Sequence, residues 1–134
     1  MKEFLDIALN TAETKGADYA DIRISRHKNQ SIRTREERIQ GISNSESYGF
    51  GVRVLVDGTW GFAASHRLTK NNVANITLRA LDIARANRVV QRIPIRLAEV
   101  ESYEDQWSSP IKKDPFQVPV NDKIDLLLTV NAEA

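Results

Sequence analysis

Two histidines, no cysteine and one concentrated group of glycines are the residues from which this 134-residue sequence could build a reactive site. His27 and His66 fall in different segments, and neither has a carboxylate at metal-ligand spacing. A zinc site draws three or four ligands from His, Cys, Asp and Glu. There is no His-Glu-x-x-His run and no Gly-x-Ser-x-Gly nucleophile turn. His27 reads as a solvated residue of a basic strand, His66 as the end of a later one, and together these types complete no active site. Gly49-Phe50-Gly51 opens like a dinucleotide fingerprint, but Val54 stands where the third glycine belongs and the run continues as strand instead of helix. Glycine inside a strand marks a bulge, a bend or the close approach of another backbone, and Gly61 fits the same account.

The elements that would position these residues follow from periodicity. Phe4, Leu5, Ala8, Leu9 and Ala12 recur at helical spacing and Gly16 supplies a left-handed stop, which predicts a helix over residues 2–15. From Ala17 the period becomes two: Ala20, Ile22 and Ile24 alternate with Asp21, Arg23 and Ser25, as in a strand with one wet face. Weaker alternation over residues 31–35 and 38–43 predicts two further short strands around Glu36 and Glu37. The stretch from Ser47 to Ser65 holds four of the six glycines. It divides into strands 49–56 and 59–64 about Asp57-Gly58, the dipeptide that a type I′ hairpin turn favours.

Helical spacing returns through Val73, Ile76, Ala80, Leu81 and Ala84, with Thr69 as the N-cap. Pro94, Pro110, Pro115 and Pro119 punctuate an extended connector, with one edge strand expected near residues 95–100. A third helix begins near Asn121, with Ile124, Leu127 and Leu128 on one face, and reaches the last residue without a stop signal, as in a piece of a longer protein. The fold class is α+β: an antiparallel sheet of about four or five strands with helices mainly on one face. Residues 1–118 form one domain, and 119–134 start a further helix.

Nineteen basic and eighteen acidic side chains leave a net charge of +1. Such a chain has no whole-domain field to hold nucleic acid or an anionic membrane. Arg23, Arg26, Lys28, Arg33, Arg35 and Arg38 crowd the early strands without interleaved aromatics for base stacking, so they read as a solvated sheet face. Trp107 in the connector is a pin that fastens it or part of an interface, with the pin preferred. The absence of cysteine and of any bilayer-length apolar run suits a soluble chain in a reducing cytoplasm.

The segments "GADYADIRIS", "ESYGFGVRVLVDGTWGFAAS", "LTKNNVANITLRALDIARAN" and "WSSPIKKDPFQVPVNDKIDLL" together resemble, in order and spacing, the amino-terminal domain of the TldD/PmbA family, long labelled modulators of DNA gyrase. The run after Val52 is more similar to the TldD type than to the PmbA type. The resemblance implies a soluble zinc-dependent peptidase system in which a TldD-type subunit carries a His-Glu-x-x-x-His helix in its carboxy-terminal domain and pairs with a PmbA-type subunit. No such motif occurs here, so the resemblance assigns residues 1–134 no catalytic residue, no metal ligand and no cofactor, and implies zinc for the parent protein only.

The partners implied are the carboxy-terminal domain of the same chain, a PmbA-type subunit or a second copy, and an unfolded or precursor peptide, with neither nucleic acid nor membrane. Gly49, Gly51, Arg53, Trp60, Gly61 and Phe62 are the candidate residues for a peptide-chamber wall or subunit contact. Arg53 would anchor an acidic group or a carbonyl, or serve in a structural salt bridge. The rival is a regulatory binding module associated with DNA gyrase and without enzymatic activity.

Overall fold

Asp57 and Gly58 reverse the chain with φ of +48° and +75°. Positive φ at both central residues is what a type I′ turn requires and what Asp-Gly supplies at low steric cost. In the computed structural model, which describes residues 1–99 and 101–133, this turn joins strands β2 (Arg38–Val56) and β3 (Thr59–Ser65). They pair antiparallel with Val56 opposite Thr59, Arg53 opposite Phe62 and Gly51 opposite Ala64. Strand β1 (Tyr19–Arg35) lies on the other side of β2, giving the order β1-β2-β3.

The described residues therefore form three strands where the sequence predicts four or five. The short strands expected on each side of Glu36 and Glu37 are continuous with their neighbours, so β1 runs for 17 residues and β2 for 19. No proline lies between the pieces, and the polar residues that weaken the alternation still accept extended backbone. Glu36 turns the chain between β1 and β2 with φ of +52°, a position at which the sequence carries no glycine or asparagine.

Helix α1 (Lys2–Thr14) ends as its sequence predicts, with Gly16 at φ +80° and the Ala17 amide donating back to the Ala12 carbonyl at 3.0 Å. Helix α2 (Lys70–Asn87) starts at Thr69, whose hydroxyl accepts from the Asn72 amide at 3.3 Å. Helix α3 (Val120–Glu133) begins directly after Pro119. The expected strand near residues 95–100 does not form over residues 95–99, which are irregular, and residue 100 lies outside the described residues. Instead, the Ile95 amide donates one hydrogen bond to the Gly58 carbonyl at 2.8 Å, fastening that part of the connector to the hairpin turn.

The chain divides into two compact units, residues 1–27 with 47–99, and residues 28–46 with the described part of 100–134. In the first, Val52, Val54 and Val56 of β2, Ala63 of β3, Val73, Ala80, Leu81 and Ala84 of α2, and Ala8 and Ala12 of α1 make one buried cluster. The period-two residues Ala20, Ile22 and Ile24 pack against it. Both helices thus cover one face of the sheet, as the alternation implies.

In the second unit Asn131 of α3 donates to the Thr34 hydroxyl and the Glu36 carbonyl at 3.0 and 2.9 Å. Asp114 caps the single turn Pro115–Gln117 by accepting from the Phe116 amide at 2.9 Å. Trp107 stands 79% exposed, so it does not pin the connector. Its irregular segment offers no packed surface to receive the ring.

Candidate functional site

The same alternation that buries one face of the sheet collects polar and aromatic side chains on the other. Asp21, Arg23, Ser25 and His27 follow at every second position of β1, Gly49, Gly51 and Arg53 do so on β2, and Phe62, Ala64 and His66 at the end of the hairpin. These residues, with Ser47, Tyr48, Phe50 and Ser65, line an open depression of about 720 Å3 in the first unit.

At one end the side chains form a connected group. The Arg53 guanidinium lies on the Asp21 carboxylate, with Nη2 and Nε at 2.7 and 2.8 Å from Oδ2. It also stacks over the Trp60 ring at 4.8 Å, and Tyr19 meets that ring edge-on at 5.7 Å. The hydrogen bond it donates to Asp21 holds the Arg53 guanidinium pKa above its ordinary value, against a smaller opposing effect of burial. Burial raises the Tyr19 phenol, and the neighbouring Asp21 charge adds to it. Arg53 thus serves in a salt bridge, the second of the two roles open to it.

Farther along the face, Phe62 is 59% exposed and leans over Gly51. A Cβ at Gly51 would stand 2.8 Å from the Phe62 ring. Gly49 lies flush with its neighbouring strand end, 2.9 Å separating such an atom from the Ser65 carbonyl. Gly61 has the opposite orientation: a Cβ there would come within 1.9 Å of the Ala80 carbonyl and 2.6 Å of the Ala84 amide. Of the six candidate residues, the fold brings Gly49, Gly51, Arg53, Trp60 and Phe62 to the open face and sets Gly61 beneath α2.

The sequence reading missed the meeting of Asp21 with Arg53, 32 residues apart. It also missed the presence of His27 and His66 on one depression. Period two on β1 carries part of that signal, since it puts Asp21, Arg23, Ser25 and His27 on one face. Among the described residues no group of three or more His, Cys, Asp and Glu side chains could hold a metal ion. Asp21, the one acid lining the depression, is already taken by Arg53, so this donor set does not fit zinc. No helix among the described residues is long and apolar enough to cross a membrane.

A sheet with both helices of the first unit on one face and a lined depression on the other makes an α+β domain with one open face. Residues 20–84 match the family described as PmbA/TldA metallopeptidase domain 1. A metalloprotease of Methanocaldococcus jannaschii is 26% identical over 111 residues, which are 83% of this chain and 25% of that protein. The zinc metalloprotease TldD homolog of Saccharolobus solfataricus is 32% identical over 65 residues, 48% of this chain and 14% of that protein. A Bacteroides thetaiotaomicron crystal structure, of a protein named as a candidate modulator of DNA gyrase, has the same fold: TM-score 0.70 at 19% identity, covering 99% of this chain and 30% of that one. The chain belongs to the TldD/PmbA metallopeptidase family. It spans about a quarter or less of the length of the curated relatives it matches.

Proposed function

We propose that this domain works by binding alone, and that what it binds is an extended, unfolded peptide laid on the open face of the sheet. The observation that carries the reading is the depression floored by Gly49, Gly51 and Ala64 and flanked by Phe62, Arg23 and the two histidines. Small residues let another chain come near, the aromatic ring gives it apolar surface, and no residue of the set is placed as nucleophile, base or metal ligand. In a metallopeptidase the face would wall the chamber or meet a PmbA-type subunit or second copy, while zinc and the cleavage chemistry would be supplied outside residues 1–134. The setting proposed is the cytoplasm.

A second reading also needs no chemistry in the domain and is favoured by the name of the Bacteroides thetaiotaomicron relative: a regulatory module that binds DNA gyrase. One pair of measurements separates the two. Fluorescence anisotropy with labelled unfolded peptides is expected to show saturable binding without cleavage. A gyrase supercoiling assay is expected to be unmoved by the chain. Altered supercoiling together with absent peptide binding would establish the second reading over the first.

A further inference from the structure

The charges around the depression do not cancel. Asp21 is its one acidic lining residue, and the Arg53 contact at 2.7 Å answers it. Arg23, one same-face step along β1 from Asp21, has no carboxylate partner among the described residues, and the same holds for His27 and His66. One guanidinium and two imidazoles therefore face an open space whose floor is glycine and alanine and whose apolar side is Phe62. An uncompensated guanidinium, with imidazole N–H donors and an exposed ring on the same depression, is complementary to a carboxylate adjoining an apolar group.

Two kinds of carboxylate occur on a peptide, and the backbone discriminates between them. Terminal carboxylates are captured by nests of free backbone amides. Here residues 50–56 of β2 are engaged in the ladder with β3, so the donors that face the depression are side chains. Resting on the peptide-binding reading above, we propose that the depression selects an acidic side chain within an extended peptide, Glu or Asp beside an apolar residue. Arg23 takes the carboxylate, His27 and His66 supply flanking N–H donors, and Phe62 packs the apolar neighbour.

The test uses the full chain and two labelled ten-residue unfolded peptides, both amidated at the carboxy terminus, one with a central Phe-Glu and the other with Phe-Gln. The Glu peptide is expected to bind at least about ten-fold more tightly, and the ratio to shrink as salt is raised. Arg23→Gln, an exposed change whose fold is checked by its melting curve, is expected to bring the ratio to about one. Equal binding of the two peptides, or a preference that survives Arg23→Gln, would overturn the proposal and leave peptide binding itself standing. Binding that demands a free terminal carboxylate also overturns it. If neither peptide binds, whether amidated or made with a free carboxy terminus, the peptide-binding reading falls, and this proposal with it.

Discussion

The two faces of the sheet are made from the same strands, residue by residue in alternation, yet they tolerate change very differently. On the inner face Val52 and Val54 of β2 and Leu81 of α2 are fully buried, and Gly61 lets the α2 backbone come against β3. On the outer face Arg53 and Phe62, neighbours in the same two strands, are exposed, and the atoms nearest a Cβ at Gly51 belong to side chains. The contrast teaches that a glycine's neighbours, more than its place in a strand, decide what it contributes. Backbone cannot yield without moving a helix, whereas a phenyl ring can swing away.

Gly61→Ala presses hardest on this comparison. The added carbon would overlap the Ala80 carbonyl, so α2 must shift away from β3, and unfolding in urea is expected to show a loss above about 3 kcal/mol. A loss below 1 kcal/mol would mean that the helix is not seated as closely as described.

Gly51→Ala asks the same of the outer face. It meets only the Phe62 ring and the Ala64 side chain, and alanine suits an extended backbone better than glycine. Its stability is expected to stay within about 1 kcal/mol of the parent. If it matches Gly61→Ala, the two faces are not distinct in the way proposed.

The smallest effect concerns Tyr19. Its phenol titrates above the ordinary value because burial and Asp21 disfavour the phenolate. A raised folded-state pKa contributes stability that is complete below about pH 10 and is lost as pH rises through the folded value. Tyrosinate absorbance of the parent minus that of Tyr19→Phe is expected to place this midpoint above the ordinary one. A midpoint at or below it would remove Tyr19 from the Asp21, Arg53 and Trp60 group.

Much of the inner face was legible in the sequence, because burial leaves a periodic record. The alternation of Ala20, Ile22 and Ile24, the helical spacing through Ala84, the Thr69 cap and the Asp57-Gly58 turn each have a local cause, and each has its counterpart in the fold. The length of β1 and β2 was not legible. Residues 28–31 and 43–48 are polar, so no apolar alternation marks them as strand, and the Glu36 turn uses a residue with no special preference for positive φ.

The outer face was readable only in part. The glycine and aromatic concentration pointed to it, but the partner of Arg53 lies on another strand 32 residues away. Strand order and register decide such a meeting, and neither is written in local pattern. Gly61 entered the candidate set as a strand glycine that admits another backbone, and the backbone it admits is that of α2, because one step along a strand reverses the side on which a residue falls.

That reversal gives the Asp57-Gly58 turn a wider consequence. Side chains alternate with a period of two, so a slip of one residue in the pairing of β2 with β3 would exchange the faces of one strand against the other. Phe62 would be driven into α2, and Gly61 and Ala63 would be left in water. The turn resists such a slip from three directions: Asp18 accepts from the Asp57 amide at 2.7 Å, Arg88 pairs with the Asp57 carboxylate, and Ile95 binds the Gly58 carbonyl. Three atoms at the tip of the hairpin thereby act as its indexing pin, and a partner reading the outer face depends on them without touching them.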